Sequence, residues 1–394
     1  MQTKVISFVV TFLLSVGLLA LSGWYVQRID IVRDNSNPIT PVVQGDEQNT
    51  NQEADVPETD LNPVQRGLRF LAKNQFEDGH WEGDNGQHPV AMTGLVGLAL
   101  LMEGSTVREG QYSANVSKAV DWLMANSPRD GLIFSEHPSE TARYMEGHGL
   151  ATLFLAGARQ RAYGDARAKK LDDTLSRAVK YIARAQSSQG GWHHTSRMEG
   201  HDFAAILVTA IQLQALQAAE NARVDVPLGV VHDGQEYLRI TLEKDLERTG
   251  HNRDRTAEIA AALACRFRHE ALIAKDEPSK LWFKHCRTEI PLRPEIEFGR
   301  VELMHYYYAQ AVFSLGEDWE KISERESGVD RLSWKGYRAA LFNQLQNSQT
   351  KDGSWPAGNG IGVGRVYSTA VWCTILQLDS QRHPSTEVRM KPKF

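Results

Sequence analysis

The polar residues with chemical reach in this 394-residue chain stand at the starts of long apolar runs. Glu146 and His148 open one run, His201 and Asp202 a second, Arg255 and Glu258 a third, Glu302 and His305 a fourth, Arg365 and Tyr367 a fifth. A carboxyl beside an imidazole can give and take a proton. Asp202 or Glu146 is therefore the expected catalytic acid, aided by His148, His201 or His305. Tyr306, Tyr307, Tyr308 and Trp372 would offer aromatic faces to a cationic intermediate, and His201, Glu258, Glu302, His305, Tyr306, Arg365, Tyr367 and Trp372 form the expected ligand-binding set. The same residue types commonly cap helices and satisfy one another in structural networks, so both uses stand open at this stage. His193 and His194 with His201 invite a metal, yet their spacing matches no closed zinc site, and neither metal nor cofactor is expected. Cys265, Cys286 and Cys373 are odd in number and form no CxxC pair, so they are expected as buried small hydrophobes.

What must position these groups is a repeat. Residues 66–81 read RGLRFLAKNQFEDGHW and residues 177–192 read RAVKYIARAQSSQGGW, sharing Arg, a small residue, an aromatic, an aliphatic, Gln and Gly-x-Trp in one ungapped register. A third copy starts at Lys118 and carries Ile133 in place of the Trp, a fourth keeps Gln349, Gly353 and Trp355, and a weak fifth starts at Gly234. The spacing places a degenerate copy near Lys280-Leu281-Trp282-Phe283, which makes six units. Each repeat helix is amphipathic: Leu175, Ala178, Val179 and Ile182 make one stripe while Arg177, Lys180 and Arg184 point elsewhere. The helix after it is apolar nearly all round, as in residues 90–102, 203–217 and 366–378, and such helices are buried on every side.

Six amphipathic outer helices alternating with six apolar inner ones predict a closed double ring, with an open solenoid as the other geometry. The inner helices are expected at 89–103, 140–163, 201–220, 254–273, 299–315 and 365–379. Parallel inner helices would bring their polar starts to one mouth of a central cavity, the outline of a pocket for an amphiphile or isoprenoid.

The repeat pattern resembles the QW repeat of squalene-hopene cyclases and other triterpene cyclases. The closer likeness is to membrane-anchored or exported bacterial prenyltransferase/squalene-oxidase-repeat proteins, which segments 145–152 (MEGHGLAT) and 364–370 (GRVYSTA) also resemble. The resemblance implies an all-α, α6/α6 toroid over about residues 62–380. It does not carry the chemistry with it. The Asp-x-Asp-Asp acid of class II cyclases is absent, and so is the Asp-Asp-x-x-Asp magnesium motif, since the lone pair Asp172-Asp173 has no third Asp. The Asp-x-Cys zinc motif of protein prenyltransferases is absent too, because Leu263, Lys284 and Val371 stand two before the cysteines.

Ahead of the repeats, residues 5–26 run without a charge and are long enough to span a bilayer. Their length and the closing Trp24-Tyr25 favour an uncleaved signal anchor, with cleavage near Ala20-Leu21-Ser22 as the alternative. Residues 28–61 have the composition of a flexible tether, and 381–394 that of a solvated tail. The expected location is a single-pass membrane protein with its globular part exported. With 44 Lys+Arg against 49 Asp+Glu, nothing suggests a nucleic-acid partner. Two functions are expected: a toroid that binds an apolar or isoprenoid ligand or a partner protein without standard cyclase chemistry, or a cyclase-like isomerase or lyase with a non-standard acid at the mouth.

Overall fold

The computed structural model describes residues 61–161, 166–246, 253–266, 277–290, 301–315, 333–357 and 363–385, all within one compact unit, Val56–Phe394. Every regular element among them is helical. The main helices are α1 (Pro63–Lys73), α2 (Pro89–Glu103), α3 (Ser113–Ala125), α4 (Tyr144–Gln160), α5 (Ala166–Ala185) and α6 (Ile206–Asn221). They continue as α7 (Leu228–Leu246), α8 (Arg253–Arg266), α9 (Glu277–Glu289), α10 (Glu302–Leu315), α11 (Trp334–Ser348) and α12 (Arg365–Leu376).

The even-numbered helices pack in a cycle, each on the next, and α12 returns to α2. The odd-numbered helices lie outside: α1 on α12 and α2, α3 on α2 and α4, α5 on α4 and α6, α7 on α6 and α8, α9 on α8, and α11 on α10. The expected double ring is therefore closed, and α9 supplies the degenerate unit. Composition explains the division. In α2 every residue from Pro89 to Met102 is buried, whereas α5 buries only the stripe that includes Leu171, Leu175, Ala178, Val179 and Ile182.

The repeat signature is the joint between successive units. The Trp81 indole donates to Leu71 O at 2.7 Å and its backbone N–H to Thr93 Oγ1 at 3.0 Å. Trp192 repeats this with Ile182 O and Thr209, and Trp355 with Leu345 O and Thr369. Each tryptophan thereby ties the end of an outer helix to the start of the inner helix that follows. Gln75, Gln186 and Gln349 each donate to the carbonyl of their own turn glycine and to a carbonyl at the start of the next outer helix: Asn115 O, Val230 O and Pro63 O. Gly79, Gly190 and Gly353 have φ of +107°, +92° and +87°, and a Cβ on any of them would stand within 2.6 Å of a carbonyl oxygen of that next helix. In the last copy the next helix is α1, so Gln349 and Gly353 close the ring.

Two boundaries differ from expectation. The helix expected at 140–163 is broken after the single turn Pro138–Thr141, where Glu140 accepts hydrogen bonds from Val90 N and Ala91 N and so caps α2 from another unit. The helix expected from 201 begins at Ile206, which leaves His201 and Asp202 in the preceding loop. Residues 381–385, expected in the tail, pack across the far end of the ring. Arg382 donates to Glu103 O, Asn221 Nδ2 donates to Pro384 O at 2.8 Å, and Arg161 Nη2 donates to Arg382 O at 2.7 Å. Among the described residues no helix is long and apolar enough to cross a membrane. The apolar run 5–26 and the tether up to residue 60 lie outside the described residues.

Candidate functional site

The mouth of the ring lies at the N-terminal ends of the inner helices, where side chains emerge from full burial. Glu146 and Leu150 of α4, Leu207 of α6, Arg255 and Glu258 of α8, Leu303 of α10, and Val366 and Tyr367 of α12 are half-buried there. Four helices converge on Tyr307. Burial holds its phenol well above the ordinary range, with the nearby Tyr306, Cys265, Tyr367 and Glu146 adding to the shift. Tyr307 on α10 and Glu146 on α4 therefore face each other across the bore, since these two helices are opposite in the cycle.

The polar side of the mouth is built around Glu146. Its Oε1 lies 2.6 Å from His194 Nδ1 and 3.1 Å from the Arg143 guanidinium, and Met145 N–H donates to His194 O at 3.1 Å. These contacts fasten the loop before α6 to the start of α4. The His193 ring packs edge-on to His194 at 4.8 Å and lies 6.5 Å from His201, whose Nδ1 is 2.7 Å from Thr195 Oγ1. Burial, with His194, His201 and Arg143 close by, lowers the His193 pKa below its ordinary value. His88 joins from the loop before α2, in a left-handed conformation at φ +54°, and burial with neighbouring Arg143 lowers its pKa as well. The set is a cluster of imidazoles and one guanidinium around one carboxylate, an arrangement that suits charge-assisted hydrogen bonding. Among the described residues no group of three or more His, Cys, Asp or Glu could hold a metal ion.

Several expected site residues lie elsewhere. Asp202 is exposed, and its carboxylate accepts the Ser188 N–H at 2.6 Å, which lowers its pKa and fixes a loop; that is the setting of an anchor, not of an acid. His148 turns away from the bore toward the outer ring. Its Nδ1 accepts the Ile133 N–H at 3.0 Å and its ring meets Tyr181 of α5 edge-on at 5.2 Å. Ile133 occupies the tryptophan position of its repeat, so His148 takes the part that Thr93, Thr209 and Thr369 play in the others. His305 likewise points outward, 2.7 Å from Tyr337 O–H on α11 and beside the fully buried Trp372. Burial depresses both imidazoles to about 4. Tyr308 packs on Phe283 and Tyr337 of the outer ring. Arg365 pairs with Asp352 at 2.7 Å and stacks over Phe70, outside the mouth. Glu302 is buried in the first turn of α10, where it accepts from Ser368 Oγ at 2.7 Å, and Glu258 pairs with Arg255 at 3.0 Å.

The ring thus gathers Glu146, Glu258, Tyr306, Tyr307 and Tyr367 at or beneath the mouth and distributes the others through the joints. Sequence reading singled out neither Arg143, which reaches Glu146 from three residues earlier at the start of the same helix, nor His88, which approaches from the loop of another unit. His194 was visible only as half of a His-His pair.

Residues 52–210 match the family model of the squalene-hopene cyclase C-terminal domain. Among solved structures the chain is similar to the type II terpene cyclase MstE from Scytonema in its apo form, at 15% identity over 81% of this chain and 98% of that one, with a TM-score of 0.48. A variant of that enzyme in complex with merosterolic acid A, its product, matches at 16% identity over 81% and 96%, with a TM-score of 0.49. A further variant, holding the substrate geranylgeranyl dihydroxybenzoate, matches at 16% over 81% and 97%, with a TM-score of 0.47. No curated protein matches the chain. With its QW joints and closed ring of inner helices, the chain is an all-helical toroid that is similar over residues 52–210 to the squalene-hopene cyclase C-terminal domain and lacks the Asp-x-Asp-Asp acid of class II cyclases.

Proposed function

We propose that the ring binds an apolar or isoprenoid amphiphile at its mouth without performing standard cyclase chemistry, and that residues 5–26 hold it on the exported face of a membrane. The observation that carries this is the division of the mouth into two halves. Leu150, Leu207, Leu303, Val366 and Tyr367 form a half-buried apolar collar, while His88, Arg143, His193 and His194 surround Glu146 on one side. An apolar collar with convergent polar groups suits a ligand with an oily chain and a polar end. The carboxylate nearest the bore is tied to His194 and Arg143, and the chain carries no Asp-x-Asp-Asp motif.

Native mass spectrometry with lipid extraction, on the full chain isolated from its own cell envelope, tests the proposal. A co-purifying isoprenoid or other lipid is the expected result. A protein that arrives empty and stays empty when offered squalene and prenyl alcohols would overturn it and leave a scaffold for a protein partner. The alternative, a cyclase-like isomerase or lyase, rests on Glu146 facing Tyr307 across the bore. It requires cyclised product from wild type and loss of that product in Glu146→Gln.

A further inference from the structure

Beneath the mouth the ring is packed: Ile211, Tyr307 and Gln310 are buried, Gln214 Nε2 donates to Gln310 Oε1 at 2.8 Å, and Pro384 fills the space beside Gly157. Open space lies at the other end of the ring, on the seam where the first and last units meet. There a cavity of about 310 Å³ is bounded by the start of α1, the end of α2, the residues before α3 and the turn that follows α12. Its floor is apolar, made by the buried Leu68, Met102 and Leu376 with half-buried Val64. Its rim is polar and exposed, and includes Gln65, Gln111, Ser380 and Arg382.

Most polar groups around this cavity are spent on the fold. Asp379 accepts from Trp334 Nε1 and pairs with Arg338 at 2.6 Å. Gln377 Nε2 donates to Ala99 O and Cys373 O, and Gln65 Oε1 accepts the Asn62 N–H in a capping box. Three groups keep unused capacity among the described residues. The Arg382 guanidinium lies over Gly104, whose φ of +124° ends α2 and where a Cβ would stand 2.5 Å from Nη1. It spends Nη1 on Met102 O and Glu103 O, which leaves the edge formed by Nε and Nη2. Glu103 spends Oε2 on the Ser105 N–H and hydroxyl at 3.1 and 2.6 Å, which leaves Oε1. Tyr112, just before α3, is 5% exposed, and its hydroxyl makes no hydrogen bond. Burial and the neighbouring Glu103 carboxylate push its phenol up to about 12, so it stays a donor. A largely buried hydroxyl without a partner costs stability that a bound acceptor would restore.

We propose that this seam cavity binds a zwitterion the size of one amino acid, its carboxylate on Arg382 and the Tyr112 hydroxyl, its ammonium on Glu103, and an apolar side chain over Leu68, Met102 and Leu376. A guanidinium edge matches a carboxylate in two parallel bonds. One unspent charge of each sign disfavours a simple anion or cation, which would face its own sign across the cavity. The volume stands at the small end of ligand sites. The site is separate from the mouth, so it stands whether or not the ring binds an isoprenoid.

Ligand-observed NMR titration of the full chain, held in amphipol, with L-leucine tests the site. The comparison ligands are 4-methylpentanoate, which lacks the amine, isopentylamine, which lacks the carboxylate, and glycine, which lacks the side chain. L-Leucine should bind at least about tenfold more tightly than any of the three. Tyr112→Phe removes only the unpartnered oxygen, so it should leave the melting temperature unchanged or raised and weaken leucine about fivefold. Glu103→Gln should erase the preference for leucine over 4-methylpentanoate, and Arg382→Gln the preference over isopentylamine. Should Arg382→Gln loosen the ring and fail to fold, Tyr112→Phe and Glu103→Gln decide the matter. Absence of leucine binding at millimolar concentration overturns the site, and so does equal affinity for leucine and either half-ligand. An unchanged leucine Kd in both Tyr112→Phe and Glu103→Gln overturns it as well, by placing leucine elsewhere.

Discussion

At the scale of single residues, the same chemical types serve opposite ends according to which ring they face. His148 and His305 carry the polar groups that a catalytic reading would select, yet both point outward and are buried neutral with pKa values of about 4. In the unfolded chain an imidazole titrates near ~6.5. The unfolded state therefore binds more protons between the two values, and stability is complete above the unfolded value and falls as pH drops toward the folded one. The loss should reach up to about 3 kcal/mol per histidine. Thermal or urea melts from pH 7.5 down to 4.5 should show this fall, and His148→Thr, which installs the residue used at Thr93, Thr209 and Thr369, should fold and lose roughly half of it. A variant as acid-sensitive as wild type would mean that His148 does not carry that share. This distinction was invisible in the sequence, since an apolar helix buried all round has no periodicity to say which face meets the bore.

The elements are governed by the joints between them. Each joint combines a turn glycine at positive φ, a glutamine that donates to two carbonyls and a tryptophan locked by its indole and backbone N–H. Gly190→Ala must strain a left-handed turn and push a Cβ toward Asp233 O, at an expected cost of about 1–3 kcal/mol. Trp192→Ala removes a fully buried ring and should cost about 3–5 kcal/mol. Chemical denaturation of each variant measures both, and a near-neutral Gly190→Ala would mean that the turn relaxes. This level was almost wholly legible, because glycine, glutamine and tryptophan act through local geometry that repeats with each unit. The exceptions have local causes as well. Glu140 breaks the expected helix 140–163 because its carboxylate caps α2, and the loop before α6 runs to Ala205 because His194, Thr195, Ser196 and Asp202 are all engaged in holding it.

At the scale of the whole molecule, closure depends on residues far apart in the chain. Gln349 and Gly353 lock onto Pro63 and Arg66, and Gln377 donates to Ala99 O. The segment 381–385 then ties the far ends of α2, α4 and α6 together. Removing residues 379–394 should lower the melting temperature and speed hydrogen exchange at the C-terminal turns of those three helices at once. Exchange that accelerates in α2 alone would show that the segment does not brace the ring.

The sequence by itself determined the alternation of outer and inner helices, the number of units and the residues of each joint. All of these depend on neighbours within one unit or the next, so type and spacing suffice. It also ruled out the known acid and metal motifs of the resembling enzymes. Only the tertiary structure decided which polar residues reach the mouth, because that depends on the rotation of each inner helix about its own axis. It alone brought His88 and His194 to the side of Glu146 and joined Gln214 to Gln310, groups from separate units whose meeting is fixed by the curvature and closure of the ring.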